Sequence, residues 1–323
     1  MRISPISLCL VAFIVALPSS SGAEKLQWEE PYPGVEFLKQ SLEGPVQAWA
    51  ARVDLCAAGV EIRATSEEEF RQTTSSFGRS IGAQVAINGG FYEPDFSPTG
   101  FAMGDGEVWS EDIEGHGFIG FGSEGASIWA PRMRVEEVPG GLSEAVGGYD
   151  SVVVDGEIPD FHQRFCEHRH PRTAVGLSQD GETLLLGVVD GRSEESRGMT
   201  CTELGQWMLD LGAWQALNLD GGGSTTMWTE SKGVVNRPSA GLERVVSNHL
   251  AIFADGDGTP SACPREIEKI AFFEVETEAA VVQVDDDRGR SVQERGCSNG
   301  GGPVGLLAWL VVGGFARIAR SGW

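Results

Sequence analysis

Between Val85 and Phe253 the chain repeatedly enters a short, β-branched-rich apolar run and leaves it at a glycine, aspartate or proline. Val85-Ala86-Ile87 runs into Asn88-Gly89-Gly90, and Val152-Val153-Val154 meets Asp155-Gly156. Thr173 to Leu177 and Leu184 to Val189 flank Gln179-Asp180-Gly181-Glu182, a turn sequence that predicts a β-hairpin. Ala216 to Leu219 reads as a short buried strand, and Val245 to Phe253 as a final one. One helix stands out. Thr200 and Glu203 have capping-box spacing, Leu204, Trp207, Met208 and Leu211 recur at helical intervals, and Gly212 is placed to end it. Many strands with few helices predict an α+β fold: a mainly antiparallel sheet core with a few flanking helices, in a single catalytic domain.

Residues 1–23 read as a secretory signal peptide, with basic Arg2, an apolar run from Leu8 to Leu17 and the small-residue exit Ser21-Gly22-Ala23. The catalytic domain is expected over 24–255. Residues 256–296 form an acidic spacer or domain-completing strands, with Ile267 to Val284 alternating enough for a strand or two. From Cys297 a Gly-rich break leads to an apolar stretch, Val304 to Ala316, followed by Arg317 and Arg320. That stretch is shorter than the roughly 20 residues of an independent span, so 297–323 read as a membrane-anchor tail, a transient membrane stop with the arginines at its end. Cys56, Cys166, Cys201 and Cys263 remain in the exported body and suggest two disulfides, in any of three pairings. A net charge of −23 and a pI near 4.5 argue against a nucleic-acid partner, since a phosphate backbone would repel such a surface.

The chemistry concentrates at Asn218-Leu219-Asp220-Gly221-Gly222-Gly223-Ser224-Thr225. Three glycines after a buried strand let the backbone approach a ligand and present successive N–H groups to an anion. Asn88, Gly89 and Gly90, followed by Phe91 and Tyr92, repeat this logic at a second strand end, with rings on which a sugar can stack. Arg172, opening a hairpin strand, is the candidate clamp for a phosphate, and Asp190 closes the partner strand at the same end. Glu203 has two readings, as the capping residue of its helix or as a site carboxylate. The five histidines show no metal-motif spacing. Asp255-Gly256-Asp257 lacks the further ligands of a calcium loop and reads as a turn. No cofactor is required by the sequence; the metal content is left unassigned, with a divalent cation such as calcium admitted.

The series Asn88-Gly89-Gly90-Phe91-Tyr92, Pro171-Arg172-Thr173-Ala174-Val175-Gly176, Val189-Asp190-Gly191-Arg192, Thr202-Glu203-Leu204, Asn218 to Ser224 and Val235-Asn236-Arg237-Pro238-Ser239 resembles the phosphodiester glycosidase family, in one order from about Ala83 to Phe253. The resemblance implies hydrolysis at an anomeric carbon bearing a phosphodiester, with Asn88, Arg172, Asp190, Glu203, Asp220 and Ser224 on matching positions. The resemblance does not assign nucleophile or base; the chemistry of C1–O cleavage makes Asp220 the expected carboxylate at the sugar, Asp190 the second carboxylate, and Arg172 with the glycine-loop N–H groups the neutralisers of the phosphate. This requires the triglycine bend, an arginine and both aspartates to converge on one cavity. The expected partner is a sugar-phosphate or phosphoglycan; the alternative is a noncatalytic carbohydrate-binding or envelope-structural module of the same fold. The tail resembles the myxobacterial-type C-terminal sorting domains, which implies a membrane sorting protease as a second partner and a place at the bacterial cell surface.

Overall fold

The computed structural model describes residues 26–256, apart from 114, 124, 132–137, 139 and 162. The expected signal peptide, Cys263, Asp257 and the sorting tail lie outside the described residues.

Three antiparallel sheets form the framework. The first has seven strands, in the order Glu29–Tyr32, Val35–Leu42, Val46–Asp54, Thr183–Val189, Arg172–Leu177, Gln215–Asn218 and Ser151–Val153. The second has five: Glu107–Ser110, Ala102–Gly104, Leu142–Gly147, Phe118–Gly122 and Gly125–Trp129. The third also has five: Gly233–Val234, Met227–Thr229, Val85–Asn88, His249–Ala254 and Val60–Ala64.

The predicted hairpin sits near the middle of the first sheet, with Leu177 opposite Leu184 and Arg172 opposite Val189. Its strands read as continuous apolar runs because this sheet is covered on both faces. Val175, Leu177, Leu184, Leu186 and Val188 join a core shared with Val85, Ile87, Leu250 and Ile252 of the third sheet and Ile119, Ile128 and Val146 of the second. Ala174, Leu185 and Val189 point the other way, onto Leu204, Trp207, Met208 and Leu211. Those four belong to the predicted helix, Cys201–Leu211, and each contributes about 1.5–3 kcal/mol on burial. Its Thr200–Glu203 capping box is formed, and Gly212 terminates it at φ 107°, a left-handed conformation that favours glycine.

Two short helices went unread in the sequence. Thr74–Ile81 is held by a Thr73 cap and a left-handed Gly82 and presents Phe77 to the third sheet; Arg164–Glu167 is a single turn. The last strand begins at His249 instead of Val245, because Val246 makes only an isolated bridge to Gln72.

Candidate active site

The segment from Leu219 to Thr226 carries the chain from the first sheet to the third. Asn88 knots this crossing. Its amide donates to the carbonyls of Asp220 (2.7 Å) and Gly89 (3.2 Å) and accepts from the Thr173 hydroxyl (2.8 Å) and the Thr226 N–H (3.1 Å). Completely buried, it ties both sheets to the loop; every one of these bonds runs to the protein frame.

Gly221 and Gly222 each have a reason to be glycine. The Gly222 N–H donates to the Pro171 carbonyl (2.9 Å), and a Cβ at Gly221 would lie 2.6 Å from that same oxygen. Gly222 has φ 62°. A Cβ at Gly223 would lie 2.2 Å from Nη2 of Arg244, and one at Gly222 would lie 3.0 Å from Nη2 of Arg192. Two guanidinium groups therefore lie close to the bend. The Gly223 N–H has no acceptor among the described residues.

Asp220 opens this bend. Burial pushes its carboxyl up to about 6, while the Ser224 hydroxyl, the Arg244 charge and the Gly221 N–H pull the other way. Arg244 Nη1 also reaches Ser224 Oγ at 3.4 Å. Such a carboxyl is ionised at neutral pH yet close enough to its titration range to exchange a proton with a bound ligand. Asn218 and Thr225 flank it, both buried, with Asn218 Oδ1 and Thr225 Oγ1 lacking partners among the described residues.

Arg172 and Asp190 stand at the same end of the hairpin but on opposite faces. Arg172 is paired with Val189 on the helix side, and strand alternation turns the next residue, Asp190, to the other side. The Arg172 guanidinium donates to the carbonyls of Met199 (2.9 Å), Phe165 (2.7 Å) and His168 (3.1 Å) and is 3% exposed. Burial lowers its pKa to about 10, against the opposing charge of Asp150, so it stays protonated. Nε and Nη2 of Arg172 are thus held by main-chain oxygens and brace the turn before the strand, leaving Nη1 uncommitted to those carbonyls. The Cys166–Cys201 disulfide, one of the three open pairings, fastens that turn to the long helix; Cys56 is also disulfide-bonded.

Asp190 accepts from Asn236 Nδ2 (2.9 Å) and from the Arg237 N–H (3.0 Å to each oxygen). Burial raises its pKa despite these donors. It anchors the loop that places Asn236, whose amide also donates to the Thr225 carbonyl (3.1 Å). Its side chain thus acts on the site through that loop. Glu203 accepts from the Thr200 N–H (3.0 Å) and pairs with Arg169, which makes it a helix cap and a surface ion-pair partner. Gly89 and Gly90 are close-approach glycines: a Cβ would meet Asn248 Oδ1 at 2.1 Å and the Gly147 carbonyl oxygen at 2.2 Å. Phe91 and Tyr92 are half-buried, Phe91 edge-on to Tyr149 with ring centroids 5.9 Å apart.

The phosphodiester glycosidase family profile matches residues 81–253, more than half the chain. The chain belongs to the phosphodiester glycosidase family. Over 108 residues, 33% of the chain, it is 40% identical to the SPbeta prophage-derived uncharacterized protein YomE of Bacillus subtilis (strain 168). Over 178 residues, 48% of the chain, it is 26% identical to the N-acetylglucosamine-1-phosphodiester alpha-N-acetylglucosaminidase of Bos taurus. The aligned parts span 15% and 33% of those two proteins. Among solved structures, a hypothetical protein from Synechocystis superposes with a TM-score of 0.59 at 16% identity, covering 72% of this chain and 64% of that one. The catalytic domain of zebrafish N-acetylglucosamine-1-phosphodiester alpha-N-acetylglucosaminidase, auto-inhibited by its pro-peptide, superposes at 0.55 and 20% identity, covering 72% and 84%. At these identities the two structures establish the fold.

Arg244, Asn248 and Asp150 carry no motif in the sequence, and Arg192 and Asn236 stand there only as motif neighbours. Asn248 receives the Gly90 N–H (2.7 Å) and so sets the Asn88–Gly90 bend. Asp150, 9% exposed beside Arg172, has its carboxyl pushed up to about 6 by burial. No group of three or more His, Cys, Asp or Glu that could hold a metal occurs among the described residues.

Proposed function

We propose that this protein hydrolyses the glycosidic C1–O bond of a sugar 1-phosphodiester, releasing the sugar from a phosphate ester. The observation that carries this is Asp220: a mostly buried carboxyl on a triglycine bend, beside Ser224 and under the Arg244 charge, within the segment that matches the phosphodiester glycosidase family. Breaking C1–O builds oxocarbenium character on the sugar, and a carboxylate at that face stabilises or traps it. The departing phosphodiester is a weak base, so cationic and N–H donors assist it more than a strong acid would.

The substrate is an envelope or extracellular phosphoglycan, and the chain is exported and held at the bacterial surface by its tail, which a membrane sorting protease processes. The N-terminal residues and the Cys166–Cys201 disulfide, suited to an oxidising compartment, support this placement. No cofactor is assigned; calcium or another divalent cation is to be tested by chelation. Hydrolysis in oxygen-18 water decides the bond broken. Label in the sugar supports C–O cleavage, and label in the phosphate removes it.

A further inference from the structure

Two arginines flank the triglycine bend from different loops. Arg244 lies against Gly223 and Ser224, and Arg192 against Gly222. Both are exposed, and neither makes an ion pair among the described residues. In a chain of net charge −23, two exposed arginines that close no salt bridge are unusual, the more so because nearby Glu195 pairs with Arg237 instead. Arg192 moreover holds φ 62°, a left-handed backbone that non-glycine residues seldom take and that recurs at functional positions. The Gly223 N–H between them faces no acceptor in the described chain. Arg172, the arginine marked by its motif, is buried and gives Nε and Nη2 to main-chain carbonyls, so it presents no exposed fork.

We propose that Arg192 and Arg244 form the phosphate clamp of this site, gripping the phosphodiester against the triglycine bend. The assignment rests on the function proposed above and adds the residues that select its substrate. A guanidinium presents a planar fork that matches two phosphate oxygens, and the free glycine N–H supplies a donor between the forks. Arg192 also lines an open depression of about 530 Å³ with Ser193, Glu194 and Arg197.

The test reads anion binding separately from turnover. Dimethyl phosphate and, in parallel, inorganic phosphate are titrated into the full chain while the amide resonances of Gly221, Gly222 and Gly223 are followed by NMR. Saturable shifts are expected in the wild type, with dimethyl phosphate binding weakened at least tenfold by Arg192→Gln or Arg244→Gln and lost in the double variant. Lys replacements should recover only part of the affinity, because an ammonium lacks the fork. Shifts that stay unchanged in the Gln variants, or that never saturate in the wild type, overturn the clamp. If clamp binding is confirmed while oxygen-18 enters the phosphate, the glycosidase reading fails and the clamp stands. If label enters the sugar while the variants bind as wild type, the reverse holds.

Discussion

Asp220→Asn trades activity for stability, and the size of the trade follows from burial. The carboxyl has been pushed from 3.8 to about 6, roughly two pH units, and at about 1.4 kcal/mol per unit its ionised form opposes folding by about 3 kcal/mol. A folded pKa above the unfolded one means the protonated group favours folding. That contribution is complete below about pH 4 and is lost as pH rises through about 6. Asparagine has no such titration, so the stability of the variant relative to the wild type should improve by about 2 kcal/mol between pH 4.5 and pH 8. Urea unfolding followed by tryptophan fluorescence at the two pH values measures this. Other titrating groups, including Glu144 at about 7 and Asp150 at about 6, are common to both proteins and cancel in the difference. The same substitution should lower turnover of a sugar 1-phosphodiester at least about a thousandfold, and wild-type kcat/KM should rise with pH through an apparent pKa of about 6. A stability difference independent of pH, or one that moves toward the wild type at pH 8, would refute the buried-carboxyl argument.

Glu203→Gln keeps an acceptor for the Thr200 N–H and should retain near-wild-type turnover, whereas Glu203→Ala costs about 1 kcal/mol in a denaturant titration; a large loss of kcat in the Gln variant would return Glu203 to the chemistry. Cys166→Ala with Cys201→Ala opens a loop of sequence separation 35 and should cost about 3–4 kcal/mol, read from the midpoint of urea unfolding. Gly90→Ala drives a Cβ to 2.2 Å from the Gly147 carbonyl oxygen, a rigid main-chain atom, and should destabilise by at least about 2 kcal/mol; a soluble variant with an unchanged melting temperature would show that the bend yields freely.

The hairpin, the long helix with both its caps and the strands feeding the two glycine bends are legible because each is specified locally, by alternation, spacing or a turn residue. The helix Thr74–Ile81 is not: Phe77 and Ile81 are its only large apolar residues, and tertiary packing decides it. The opposite facing of Arg172 and Asp190 was recoverable in principle, since the Asp180-Gly181 turn fixes the register and alternation does the rest. Arg244 offered no such signal. It reaches Gly223 only because the chain returns to the third sheet at His249, and no spacing within residues 239–245 records that return.

Because one buried amide, Asn88, pins the crossing strand end, the Asp220 carbonyl and the start of the next strand together, the backbone that carries Asp220 is fixed independently of the loops proposed to grip the phosphate. The surface stretches bearing Arg192 and Arg244 can be rewritten without touching that pin, so relatives can diverge in what they grip while leaving the position of the carboxyl unaltered. Attempts to redirect this scaffold to another phosphate-linked sugar belong on those rims, with Asn88 kept intact.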